Sequence, residues 1–494
     1  MPTHLQAIKK RTNPQRSSRE LELEKVPTGI RGLDQVTHGG LPKGRTALIC
    51  GGPGTGKTLL GFEFLLRGIL QFDEPGVCVA FEETAEEMIT NMASLGYDLA
   101  ALIRDKKLAI DYVQVERKQI EETGEYDLEA LFIRLRHAIE QVKAKRLLLD
   151  TIELLFLGLN DKRLVRSELR RLFHWLKDIG VTAVITAEAG VNSLTRYGME
   201  EYVADCVIIL DHRVNEQVST RRLRVMKYRG SAHGTNEYPF LMDDHGISVV
   251  PITSLGLSHS ARTERISSGV PSLDAMLAGK GFFRGSSILV TGSAGTGKSS
   301  FAAAFADAAC ARGERALYFA FEESPSQILR NMSSIGIDLN RWLKRGSLKI
   351  HAARPTATGL EGHLAVMYQD ITDFAPDVVV IDPITNLVSV GDLHSVKGML
   401  TRLIDMLKDH GITALFTNLI IMGDMDDTVV GISSLMDAWL VLRSIEHGVE
   451  RVRSLNLLKS RGMAHDTAMH TYILSDRGIV IHENRQSISA AQAR

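Results

Sequence analysis

The sequence predicts an α/β fold in two tandem domains, each a mostly parallel sheet flanked by helices. Three observations carry the prediction. The chain has 494 residues, too many for one ordinary core. Its motifs run through in the same order twice. Within each half, short β-branched runs alternate with helical stretches, at residues 46–50, 77–81, 146–150 and 182–186 and again at 287–291, 316–321, 378–382 and 414–418.

The duplication is explicit in the residues. Asn91-Met-Ala-Ser-Leu-Gly-Tyr-Asp-Leu99 returns 240 positions later as Asn331-Met-Ser-Ser-Ile-Gly-Ile-Asp-Leu339. Lys57 in GGPGTGKT returns after 241 positions as Lys298 in GSAGTGKS, and Lys227-Tyr-Arg-Gly-Ser-Ala-His233 after 232 as Lys459-Ser-Arg-Gly-Met-Ala-His465. Such a long period marks duplicated domains with small deletions, not a solenoid. We place the domains at 21–251 and 263–484. Residues 1–20, with Lys9, Lys10, Arg11 and Arg16 among polar neighbours, read as a flexible arm; 252–262, small and polar, read as a linker; 485–494 form a short tail.

Composition narrows the function classes. At 44% hydrophobic and 24% charged residues the chain is an ordinary globular protein, and 58 basic against 59 acidic side chains give no global field favouring nucleic acid. No apolar run approaches the roughly 20 residues of a spanning helix, and no signal-peptide segment opens the chain, so no membrane contact and a cytoplasmic location are expected. Cys50, Cys78, Cys206 and Cys310 lie far apart without a CxxC pair and read as small buried hydrophobes.

The chemistry lies in four doubled motifs. Residues 51–58 and 292–299 fit G-x-x-x-x-G-K-[ST] between an apolar strand and a helix, the context of a phosphate loop. Gly52, Gly54, Thr55 and Gly56, with Gly295, Thr296 and Gly297 in the second half, let backbone N–H groups curl round the phosphates of ATP. Lys57 and Lys298 pair with the outer phosphates, and Thr58 and Ser299 offer a hydroxyl to Mg2+. Asp150 and Asp382, ending apolar strands, are the expected acids beside the magnesium.

Glu82-Glu83 and Glu322-Glu323 follow another apolar strand in each half. Neighbouring side chains diverge at a strand end, so one Glu can act as base while the other is hydrogen-bonded elsewhere, and a carboxylate kept from water does so near neutral pH. An acidic helix start is the competing reading. Lys227 and Arg229, like Lys459 and Arg461, end a β-like run two apart, which sends both cations to one face; such cations usually complete an ATP site in a neighbouring subunit. His233 and His465 read as structural.

With these motifs in hand, the chain resembles the KaiC family of double-domain RecA-like P-loop ATPases and autokinases of the cyanobacterial clock, over residues 21–482. The resemblance rests on both phosphate loops, the doubled Phe-Glu-Glu-[Thr/Ser], the openings Thr28-Gly-Ile-Arg-Gly-Leu-Asp34 and Ser268-Gly-Val-Pro-Ser-Leu-Asp274, and Lys-x-Arg-Gly-x-x-His in both halves. Any one motif alone would leave RecA or RadA recombinases open.

The resemblance implies a two-tiered homo-hexamer with ATP between subunits. It makes Glu82 and Glu83 the hydrolytic pair, Glu322 the base of a kinase half, and Lys227, Arg229, Lys459 and Arg461 the phosphate cations donated across the interface. In Thr428-Val-Val-Gly-Ile-Ser433-Ser434-Leu-Met-Asp437, Ser433 matches the family's acceptor serine, Ser434 its acceptor threonine and Thr428 the neighbouring threonine, with phosphate moved onto hydroxyls beside the site. A KaiB-like partner belongs to the same expectation. The tail after Ile481-His482-Glu483 is shorter than the one by which the family meets KaiA, so KaiA-type activation is not expected. Two other functions compete: a DNA-stimulated RecA- or RadA-like motor, disfavoured by balanced charge and the lack of a basic-aromatic loop, and a regulatory ATPase that never phosphorylates itself.

Overall fold

The computed structural model describes residues 23–113, 128–156, 161–190, 194–196, 198, 200–215, 218–243, 246–251, 262–420, 431–447 and 450–482. The expected arm, most of the linker, Thr428 and the C-terminal tail lie outside the described residues.

Among the described residues each half holds a nine-stranded sheet and a separate two-stranded one. In the first, the strand Thr46–Gly51 lies centrally between Thr182–Glu188 and Cys206–Asn215, both parallel to it. Arg146–Asp150, Gly76–Ala80 and Leu108–Tyr112 continue the parallel part on one side. On the other side Val218–Tyr228, Glu237–Asp243 and Gly246–Val249 form an antiparallel extension. The second half repeats this order about Ser287–Gly292, its antiparallel edge formed by Glu450–Ser460, His470–Ser475 and Gly478–His482.

The strand sequences explain the layering. Alternate side chains leave a strand on opposite faces. Ala47 and Ile49 accordingly enter one core, with Leu60, Phe64 and Ile208, while Leu48 and Cys50 enter the other, with Leu172 and Phe173. Strands buried on both faces need continuous apolar runs, which is why Leu147, Leu148 and Leu149 are consecutive and fully buried. The second half has the same two cores. All four cysteines are buried and none is in a disulfide, and burial raises the Cys206 thiol to about 12. Among the described residues no helix is long and apolar enough to cross a membrane.

The halves touch through the helix Leu360–Phe374 of the second, which packs against the strand Glu237–Asp243 of the first. Arg31 pairs with Asp373 at 3.1 Å, and Gln369 donates to Asp243 at 3.4 Å.

Candidate nucleotide sites

Both phosphate loops leave the C-terminal end of a central strand and enter a long helix, Lys57–Phe72 or Lys298–Ala311. The turn needs left-handed backbone at the residue before the lysine, and Gly56 (φ 94°) and Gly297 (φ 88°) supply it where a side chain would be strained. Thr55 Oγ1 and Thr296 Oγ1 each close the loop by donating at 2.8 Å to the carbonyls of Gly52 and Ser293. Lys57 Nζ and Lys298 Nζ reach the same two carbonyls at 2.8 and 2.9 Å. The lysines thus hang over the loop mouths, with Gly52, Gly54 and Gly295 around them.

Asp150 ends its strand beside the first loop and is 7% exposed. Burial raises its carboxyl above the usual range, opposed by hydrogen bonds from Thr186 and Thr58 and by the charge of Lys57; nearby Glu82 pushes it further up. Thr58 and Asp150 are therefore in contact. In the second half Asp382 accepts from Thr417 and, at 2.6 Å, from the buried hydroxyl of Tyr318. Burial lowers the Lys298 ammonium, and the charges of Asp382 and Glu322 oppose this, so these three groups share one site with the loop that bears Ser299.

No group of three or more His, Cys, Asp or Glu that could hold a metal occurs among the described residues. A hydroxyl beside a single carboxylate suits Mg2+, which keeps much of its coordination for water and phosphate oxygens, and Thr58 with Asp150, or Ser299 with Asp382, would hold it.

The acidic pairs stand just before helices whose caps are other residues. Thr84 caps Ala85–Ala93 reciprocally with Glu87, and Ser324 caps Pro325–Ser333 with Gln327, so neither pair serves as a cap. Within each pair the two carboxylates part company. Glu83 accepts from Asn91 at 3.1 Å and Glu323 from Asn331 at 3.3 Å, whereas Glu82 accepts from Thr151, the residue after Asp150, at 3.3 Å. The expectation of a carboxylate kept from water fails for the single chain: Glu82 and Glu322 are exposed.

The cations lie elsewhere. Lys227 Nζ donates to the carbonyls of Glu201 and Tyr202 at 2.9 and 3.2 Å, and Arg229 donates to that of Tyr202 at 2.7 Å. Lys459 Nζ reaches the Ser433 carbonyl at 3.0 Å and Arg461 that of Ser434 at 2.7 Å. Both cations of a pair thus turn to one side, as their spacing predicts. Asp205 and Asp437 flank them, 3.8 and 3.7 Å from Arg229 and Arg461.

This cluster sits at the wrong end of the sheet for its own loop. Asp437 N donates to the carbonyl of Ser287, the first residue of the strand whose last residue, Gly292, opens the second phosphate loop. At about 3.3 Å per residue the two ends are roughly 17 Å apart. Asp205 N binds Thr46 in the same way. Ser433 and Ser434 therefore lie a strand's length from the phosphate loop of their own chain; local order along the sequence does not reveal which end of a parallel sheet they occupy. Ser434 is exposed and Ser433 half-buried.

The sequence alone assigns no role to Thr186, Thr417, Tyr318, Asn91 or Asn331. The threonines had a signal, recurring near the end of equivalent strands, Thr182–Glu188 and Thr413–Leu419. Tyr318 had none, since Cys78 stands at the matching place in the register beside Asp150's strand. His233 stacks on Tyr228 with ring centroids 6.2 Å apart, and His465 contacts the Met463 carbonyl at 3.3 Å.

Comparison with known proteins agrees with this doubled geometry. The family model described as "ATPase: KaiC" matches twice, over residues 26–254 and 266–486. The chain is 55% identical over 470 residues to the circadian clock protein KaiC2 of Synechocystis sp., covering 94% of this chain and 83% of that one. It is 40% identical over 471 residues to the circadian clock oscillator protein KaiC of Synechococcus elongatus (94% and 91%), and 39% identical to that of Prochlorococcus marinus (94% of each). Two RecA-like sheets, each with a phosphate loop, a buried strand-end aspartate and a paired glutamate, together with these matches, make the chain a member of the KaiC family of ATPases.

Proposed function

We propose that this KaiC-family ATPase assembles as a hexameric ring with Mg-ATP between subunits, hydrolyses ATP in its first half, and in its second half transfers the γ-phosphate to serine. One observation carries the reading: Lys459 and Arg461 converge on Ser433 and Ser434 at the end of the sheet remote from their own phosphate loop. Cations and acceptor hydroxyls placed there can meet only a nucleotide brought by another subunit. Lys298, Ser299 and Asp382 of one chain hold Mg-ATP, Glu322 of that chain accepts the hydroxyl proton, and Ser433 or Ser434 of its neighbour attacks the γ-phosphorus as the bond to the β-phosphate oxygen breaks. Subunit contact also buries Glu82 and Glu322, restoring the dry surroundings that a carboxylate base needs.

The three relatives named above, each with "circadian clock" in its name, support a timing role, and a KaiB-like partner belongs to the same proposal. Light scattering with Mg-ATP should give six chains, and mass spectrometry of the same sample should give phosphopeptides at 433 and 434. A monomer in ATP would sink the assembly; a six-membered ring without phosphopeptides would leave a regulatory ATPase.

A further inference from the structure

The two phosphate loops are alike in their own residues but are held differently by the strands behind them. In each half the antiparallel edge leans on the loop. Met242 Sδ lies 2.8 Å from where a Cβ on Gly56 would stand, and Leu474 Cδ1 lies 3.0 Å from the equivalent point on Gly297. In the second half two donors also reach the loop backbone. The Tyr472 hydroxyl donates to the carbonyl of Thr296, and Arg453 Nε donates to that of Gly295 at 3.2 Å. These residues face each other across neighbouring strands, Arg453 opposite Tyr472. Tyr472 is 1% exposed and its ring meets Phe301 of the loop's helix edge-on, with centroids 5.5 Å apart.

In a planar trans peptide the carbonyl of one residue and the N–H of the next point in opposite directions. A donor that fixes the Thr296 carbonyl therefore fixes the Gly297 N–H, and one that fixes Gly295 fixes the Thr296 N–H. Those N–H groups are the ones a phosphate loop turns toward its phosphates. The first half has Phe240 in place of Tyr472, 232 positions earlier, and Arg221 in place of Arg453. Phenylalanine has no hydroxyl to give, and Arg221 Nε is buried without a hydrogen-bond partner among the described residues.

We infer that Tyr472, assisted by Arg453, is a positioning residue that pre-sets the second phosphate loop for nucleotide, so that the second half holds ATP and ADP more tightly than it would without the Tyr472 hydroxyl. The inference rests on ATP binding at both loops. Binding to a pre-set loop spends less on ordering, and the gain appears mainly as slower release.

The test is Tyr472→Phe in the full chain, titrated with a fluorescent N-methylanthraniloyl ADP. Lys57→Ala or Lys298→Ala in the same background isolates one loop at a time. Losing one neutral hydrogen bond should weaken the second site about fivefold and speed release by a similar factor. The first site should be unchanged, and the fold should persist with a melting temperature lower by about 2–4 °C. Unchanged affinity and release at the second site, or an equal loss at both, would overturn the inference. A wild-type chain that takes up no probe at the second loop would overturn the two-site reading itself, and the inference with it.

Discussion

Arg461 donates to the carbonyl oxygen of Ser434 at 2.7 Å, and 232 positions earlier Arg229 makes the same 2.7 Å bond to Tyr202. The two halves thus present equivalent cation clusters, each at the end of its sheet remote from its own phosphate loop. If each serves the nucleotide of a neighbour, Arg229→Ala should cut hydrolysis in the first half by on the order of 10³-fold, the range of an arginine finger, without unfolding the domain. Steady-state ATPase assays with a circular-dichroism control read this directly, and wild-type rates in the variant would refute it.

The split within the acidic pair makes the two glutamates unequal. Glu82 lies by Thr151 and the charge of Asp150, whereas Glu83 is engaged by Asn91. Glu82→Gln with Glu83→Gln should remove most steady-state hydrolysis, with Glu82→Gln alone accounting for about 10²-fold or more, while nucleotide binding persists. Full hydrolysis in the double variant would reduce the pair to a surface feature.

Acceptor chemistry differs between the halves. Glu201 and Tyr202 occupy the places of Ser433 and Ser434, as the matching bonds from Lys227, Arg229, Lys459 and Arg461 define them. A carboxylate forms no stable phosphoester, and the Tyr202 oxygen lies several ångströms farther from the backbone than a serine's. Ser433→Ala with Ser434→Ala should abolish the phosphoprotein and spare hydrolysis in the first half. Phosphopeptides from 190–210, or undiminished labelling of the double variant, would contradict this assignment.

A buried acid ties the first half's helix to its terminal hairpin. Glu63, fully buried, accepts from Ile247 N at 2.6 Å and from Arg67 Nε at 2.8 Å. Burial raises its carboxyl, with Arg67 opposing. The folded state therefore binds its proton more readily than the unfolded chain, and the associated stability is present below the unfolded value near 4.5 and falls as pH rises through the raised one. Denaturant titrations between pH 4 and 7 should show wild type losing stability relative to Glu63→Gln across that window. Parallel curves would remove Glu63 from the pH response.

Arg146 offers a test of packing. It is fully buried, donates to Glu74 at 2.7 Å and to the carbonyls of Phe64 and Pro27 at 2.8 Å each, and lies over the ring of Phe64 at 4.6 Å. Arg146→Ala strands these acceptors and opens a cavity, at a cost of about 3 kcal/mol. A loss below ~1 kcal/mol in denaturant unfolding would show that water replaces the guanidinium.

The sequence by itself determined the duplication, the parallel sheets and the two phosphate loops, because these depend on local spacing: glycines where the backbone turns left-handed, a carboxylate ending an apolar run, and a repeat that returns every motif in order. Even the divergence of Glu82 from Glu83 follows from alternation along one strand. Only the tertiary structure decided which end of the sheet each motif occupies. Ser433 and Lys298 look like parts of one site until the register puts Asp437 level with Ser287, a strand's length from the loop. Contacts between residues far apart in the chain were equally hidden: Tyr318 on Asp382, Tyr472 on Thr296, Glu63 under Ile247. Each depends on how distant strands and helices are laid side by side, a long-range choice that no local pattern of residues encodes.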